Sequence, residues 1–143
     1  MIRGLSHASV YVLDHDSAKA FYTEKLGFEV RRDLRIGDFR WLTVGPPGQP
    51  DLDFILMKPG PPQHDAETEK QIRELVAKGA LGGGVWRTDD CRKTHADLAA
   101  RGVTFLQEPA ERPYGIEAVF RDDSGNWFSL TEPHAFDPGK DWG

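Results

Sequence analysis

The chain has 143 residues and a formal net charge of −5, with 18 Lys and Arg against 23 Asp and Glu interspersed along it. That length suits one domain or two small fused modules, and the lack of a clustered basic face argues against a nucleic-acid partner. A single cysteine, Cys91, excludes an internal disulfide and fits a buried thiol in a cytoplasmic protein; the start MIRGLSHASV has no apolar signal segment, and no run approaches the ~20 apolar residues of a membrane span.

Residues 5–13 alternate, with Leu5, His7, Ser9 and Tyr11 on one face and Ala8, Val10 and Val12 on the other. A period of two predicts a strand with an apolar face against a helix and a mixed face looking elsewhere. Asp14 or Asp16 can cap the next helix, because a carboxylate accepts an orphan backbone N–H. Ala18, Phe21, Tyr22 and Leu26 recur at helical spacing as its sheet-facing stripe, and Gly27 stands where a helix stops. Extended chain over 28–32, a turn over 33–38, a strand over 39–44, the proline-rich turn GPPGQP at 45–50 and a strand over 52–58 follow. The first module therefore spans 1–58 as strand, helix and three strands.

A linker occupies 59–81: the turn PGPPQHD, then a bridging helix over 65–78. Asp65 is its cap, Ile72, Leu75 and Val76 its apolar side, and Gly79 its stop. From Gly82 the first plan repeats. A strand over 84–88 leads to a helix capped by Asp89 or Asp90, with Cys91, His95, Leu98 and Ala99 inward and Gly102 as its end. Extended chain over 103–107, the turn ERPYG, a strand over 116–121, the hairpin turn DDSGN and a strand over 127–132 complete a second module at 82–134. The tail, 135–143, either hangs free or docks through Trp142. A long period present only twice indicates duplicated modules rather than a solenoid.

His7 in SHASVYVLD, the helix ending FYTEKLGFEV, the segment RPYGIEAVF and the closing DDSGNWFSL resemble, in this order and with the internal repeat, the vicinal-oxygen-chelate superfamily. That group includes glyoxalase I, methylmalonyl-CoA epimerase, extradiol dioxygenases, and fosfomycin- and bleomycin-resistance proteins, and the resemblance covers nearly the whole chain. It implies an α+β fold of two tandem βαβββ modules forming an open, curled mixed-sheet cup, and it implies a homodimer. In the family a divalent ion sits inside the cup on side chains from the first and fourth strands of each module. The ion grips two substrate oxygens and stabilises an enolate or alkoxide as it forms.

Carried over residue by residue, His7 falls on the first ligand position. The matching place in the second module is Gly83, with Gly82 and Gly84 on either side; Ile55 and Ser129 stand at the other two, so one position of four survives. A catalytic divalent ion takes about three protein ligands, so no metal or other cofactor is expected. A divalent metal remains the alternative if Asp53, Glu117 or Glu132 substitutes for the lost ligands.

Strand phase set by His7 brings Ser9, Tyr11, Trp41, Asp53, Ile55, Met57, Val85, Arg87, Trp127 and Ser129 to the inward face. Glu117 also lines the cup, and Tyr114 and Phe120 close its mouth. Several aromatic rings in a concavity suit a flat, bulky, partly aromatic ligand; the opposing expectation is that Trp41 and Trp127 plug the cup as core. The reading that follows is a small-molecule binding protein without an intact metal site, similar to bleomycin-resistance proteins. The alternative is a lyase, isomerase (epimerase) or dioxygenase type enzyme. In it His7 is catalytic, either on a rebuilt metal site or paired with a carboxylate as acid and base. His7 bonded within the sheet, in a module that only contacts other proteins, is the plainest alternative.

Overall fold

In the computed structural model, which describes residues 1–136 and residue 139, the chain forms two four-stranded sheets and three helices. The first sheet holds β1 (His7–Tyr11), β2 (Glu29–Ile36), β3 (Phe39–Gly45) and β4 (Asp53–Met57) in the order β1-β4-β3-β2. The second holds β5 (Gly82–Arg87), β6 (Thr104–Arg112), β7 (Gly115–Arg121) and β8 (Trp127–Pro133) in the order β5-β8-β7-β6. In each sheet the first strand runs parallel to the fourth and the other pairs are antiparallel. With α1 (His15–Ala20) and α3 (Cys91–Ala100) as crossovers, this is an α+β fold of two tandem βαβββ modules. The bridging helix is α2 (Ala66–Ala77). No helix among the described residues is long and apolar enough to cross a membrane. Trp142 lies outside the described residues.

Local chemistry places the helix starts where the sequence predicts them. The carboxylates of Asp14, Asp65 and Asp90 accept the N–H groups of Ser17, Thr68 and Lys93 at 2.8, 2.7 and 3.0 Å. Gly27, Gly79 and Gly102 end the three helical segments at φ of 76°, 79° and 89°, a region costly to residues with a Cβ. Beyond α1 the helix widens into a π turn over Phe21–Lys25, where the Leu26 N–H reaches back to the Phe21 carbonyl at 3.2 Å. The wider turn lets Phe21 and Tyr22 both point into the core.

Two expected boundaries move. Asp33 is not in a turn but inside β2, because Arg40 holds both its oxygens at 2.9 Å and Lys19 binds it at 2.8 Å. Those two cations, Arg40 foremost, keep the Asp33 carboxyl well below the usual carboxylate range. β6 extends to Arg112 through register shifts after Phe105 and Gln107, which accommodate Pro109. On α2 only Val76 is buried, whereas Leu75 is exposed. On α3 Cys91 and Leu98 are buried, and His95 packs its ring edge on Phe105 at 4.4 Å. Burial, above all, raises the Cys91 thiol above its ordinary range, as an inert core cysteine requires.

Both modules contribute to one core. Tyr22 and Phe54 of the first lie 6.4 and 6.1 Å from the Phe128 ring of the second, and Trp86 lies 5.1 Å from Phe54 and 4.9 Å from Phe28. A polar clip built on the DDSGN turn crosses the same boundary. Asp122, buried, accepts the N–H groups of Ser124, Gly125 and Asn126 at 2.9 Å each, the Tyr22 hydroxyl at 2.7 Å and the Asn126 amide at 3.0 Å. Asn126 also donates to the Tyr11 carbonyl at 2.6 Å, and the Leu13 N–H donates to Ser124 Oγ at 2.9 Å.

Register sorts the remaining side chains. On the first sheet His7 pairs with Asp53, Ser9 with Ile55, Tyr11 with Met57 and Thr43 with Ile55, so these share one face. On the second, Val85 pairs with Ser129, Arg87 with Thr131 and Glu117 with Thr131. The opposite sides, carrying Val10, Phe54, Leu56, Phe128 and Leu130, meet in the common core. A sheet has two faces, so the two open faces look away from that core, one per module.

Candidate functional sites on two open faces

The first face is built on β1, β3 and β4. His7 Nε2 stands 3.8 Å from Asp53 Oδ2, with the two side chains 42% and 21% exposed, and its Nδ1 lies 2.9 Å from Ser6 Oγ. The Thr43 hydroxyl donates to the same Asp53 oxygen at 3.2 Å, and the Trp41 ring lies 6.0 Å from the His7 ring. A groove of about 690 Å³ runs from Ile36, Phe39 and Trp41 across Ile55 and Met57 to the linker residues Pro59–Gln63. That volume is in the range of small-molecule pockets, about 300–1,000 Å³. No second-module side chain lines it. Leu34 and Ile36 extend the same apolar surface and are 48% and 69% exposed.

His64, in the linker, completes this face and was outside the sequence argument. The Gly60 N–H donates to its Nδ1 at 3.1 Å. A backbone N–H can only donate, so in the neutral ring Nδ1 is the bare nitrogen and Nε2 carries the proton. Nε2 then donates to the Tyr11 hydroxyl oxygen at 3.3 Å, which leaves the Tyr11 O–H free to donate to a ligand. Residues separated by 53 positions make this pair; no periodicity within one module could have found it.

The second face centres on Glu117. One oxygen accepts the Ser129 hydroxyl at 2.6 Å; the other accepts the Tyr114 hydroxyl at 2.8 Å and faces Arg112 Nε at 3.8 Å. Burial first, then the Glu117 carboxylate, holds the Tyr114 hydroxyl above its usual range, so it stays a donor. Thr131 Oγ1 lies 2.8 Å from Ser129 Oγ. Arg112 and Thr131 thus join the site, although strand phase alone did not single them out. Trp127 and Val85 lie on the same face, 41% and 69% exposed. Glu117→Ala takes the acceptor from the buried Ser129 hydroxyl, which keeps only Thr131, and from the exposed Tyr114. The expected cost is about 1–3 kcal/mol, read as a lower urea midpoint, with Ser129→Ala costing less.

The expected lining residues therefore divide. His7, Ser9, Tyr11, Trp41, Asp53, Ile55 and Met57 come together on the first face; Val85, Arg87, Tyr114, Glu117, Trp127 and Ser129 belong to the second. Phe120 is a correction: it sits on the core side of β7, 1% exposed and stacked on Phe128 at 5.5 Å, so it closes no mouth. Glu117 and Phe120 are three apart on one strand and cannot share a face. Neither tryptophan plugs a core, since Trp41 is half-buried and Trp127 exposed.

The donor set does not fit the family's metal. His7 and Asp53 are two donors where about three are needed. Among the described residues no group of three or more His, Cys, Asp and Glu is placed to hold an ion. Glu117, the nearest candidate substitute on the second face, already accepts from Ser129 and Tyr114. A Cβ at Gly83 would run into the Phe128 ring on the core side, so a side chain there would not reach the second open face.

The fold and these faces define a member of the Glyoxalase/Bleomycin resistance protein/Dioxygenase superfamily: its family model matches residues 4–130, and the chain belongs to it. Among solved structures, UcmS2 is 58% identical, with a TM-score of 0.89 over 92% of this chain and 99% of that one. TnmS3, an antibiotic binding protein from Streptomyces sp. CB03234, is 33% identical, with a TM-score of 0.74 over 93% of this chain and 98% of its own. The uncharacterized protein YurT of Bacillus subtilis (strain 168) is 36% identical over 124 residues, 87% of this chain and 94% of YurT.

Proposed function

We propose that this chain is a cytoplasmic, metal-free binding protein for a flat, partly aromatic small molecule. It acts as a homodimer in which the first-module face of one copy closes over the second-module face of the other. The observation that carries this reading is the first face: an apolar floor of Trp41, Ile55 and Met57 with two metal-type donors, His7 and Asp53, and a hydroxyl donor on Tyr11. Exposed Leu34, Ile36, Val85 and Trp127 support the pairing of copies, because contiguous apolar surface of this kind ordinarily marks an interface. The likeness to TnmS3, an antibiotic binding protein, supports a ligand of drug-like size.

The test is a metal analysis of the purified protein, then thermal unfolding against a panel of polycyclic aromatic compounds with and without EDTA. A ligand present at a hundred times its Kd adds about 2.7 kcal/mol, roughly 5–10 °C in Tm for a chain this long. The expected shift is identical in EDTA, without stoichiometric metal. One tightly held metal per chain, or a shift abolished by the chelator, rejects the reading. Sedimentation should give a dimer that Ile36→Asp converts to monomer.

A second reading rests on the 3.8 Å separation of His7 and Asp53. With Asp53 orienting the imidazole, His7 would act as acid and base on a substrate held on the first face beside the groove. It requires turnover that His7→Ala abolishes while ligand binding persists.

A further inference from the structure

A second cleft, of about 550 Å³, opens between the modules on the core side of the second sheet. Leu26 and Phe28 of the first module face Trp86, Leu98 and Leu130 of the second across it. Leu26, Phe28 and Trp86 pack against the core yet stay partly open, so here the core is accessible from outside. The Trp86 ring itself lines the cleft, while its Nε1–H is shut off from water and has no hydrogen-bond partner among the described residues.

The cleft's outer wall is a built structure. It is the loop from Pro46 to Asp51, and Arg31 ties it down by donating from Nη2 to the Pro46 carbonyl at 2.8 Å and the Gln49 carbonyl at 3.1 Å. Gly45 leaves room for that guanidinium, since a Cβ there would come within 2.8 Å of Arg31 Nε. A wall held this way needs little ordering when a ligand enters. At the mouth the Thr88 and Thr94 hydroxyls meet at 2.7 Å, and the exposed Arg87 guanidinium makes no ion pair among the described residues. Asp51 on the facing wall disfavours a second negative charge on the occupant.

We propose that this cleft is a second small-molecule site, sharing only Arg87 at its mouth with the second open face, that takes a planar aromatic monoanion. The ring lies against the Phe28–Trp86 pair, and the anionic group reaches Arg87 at the mouth. Aromatic side chains at 4.9 Å in edge-to-face contact present one ring face and one ring edge to such a guest.

The test is a titration of ¹⁵N-labelled protein with 2-naphthoate, following the indole N–H resonances, with Trp86 assigned by its loss in Trp86→Phe. The expected result is a saturable movement of the Trp86 resonance, produced by the aromatic ring seated against the indole. Thr94→Trp, which fills the mouth from α3, should abolish it. Arg87→Gln, which keeps the side-chain length, should weaken binding roughly ten-fold. Ile55→Arg on the first open face should leave it unchanged. Absence of movement at millimolar 2-naphthoate overturns the proposal, as does movement that survives Thr94→Trp in a protein of normal Tm. Movement confined to the Trp41 or Trp127 resonances also overturns it, while leaving the open-face reading intact.

Discussion

Asp122→Ala is expected to lower stability by about 3–5 kcal/mol, the summed cost of several buried donors left without an acceptor, and Tm by roughly 10–15 °C. The reason is the concentration of donors on one carboxylate. Five hydrogen bonds converge on Asp122, from Ser124, Gly125, Tyr22 and twice from Asn126. Among the described residues no cation pairs with this carboxylate; the convergent N–H and O–H dipoles stabilise it. Truncation leaves three turn amides and the Tyr22 hydroxyl buried without an acceptor, each a separate cost. Burial, then the Asp122 charge, pushes the Tyr22 hydroxyl well above its normal range, so it remains a donor at any working pH. Tyr22→Phe removes one bond and keeps the ring packing, so it should cost about 1–2 kcal/mol. A double-mutant cycle on urea unfolding should show strong coupling between the two positions; additive losses would contradict the clip. The same turn fixes β1 through the Tyr11 carbonyl and the Leu13 N–H. Ligand affinity at the first face should therefore fall with Asp122→Ala even where the variant remains folded.

Gly83→Ala is expected to cost about 1–3 kcal/mol by overpacking, and Gly83→His more, without creating a metal site. The Phe128 ring occupies the space where the side chain would begin, and Phe128 is itself fully buried among Phe54, Trp86 and Phe120. Inserting a ligand there displaces a ring that both modules share. The measurement is urea unfolding of both variants together with metal analysis of Gly83→His. A Gly83→His protein of unchanged midpoint holding one zinc per chain would show that the core yields and that a side chain at this position can turn toward an ion.

How far the site was legible follows from the range of each interaction. His7, Ser9 and Tyr11 share a face because strand alternation is local, and their pairing with Asp53, Ile55 and Met57 follows the same period. Phe120 was misplaced because a strand's phase has to be anchored. The register shifts in β6 and the burial of Ala118 put the even-numbered residues of β7 inward. The extent of β2 depended on Arg40 and Lys19, which reach Asp33 from other elements. His64 and Arg112 enter only when linker and turn fold back on the faces.

The two βαβββ modules with their caps and stops are legible in the sequence alone, as is the absence of ligand-type side chains at Gly83, Ile55 and Ser129. Those features arise from period, capping chemistry and side-chain identity over a few neighbouring residues. Only the tertiary structure decided that the two open faces look away from a shared core, that Glu117 is engaged by Ser129 and Tyr114, and that a cleft remains beside Trp86. Which faces two sheets bury against each other depends on the summed packing of side chains far apart in the chain, such as Tyr22, Phe54, Trp86 and Phe128, and no local pattern encodes that sum.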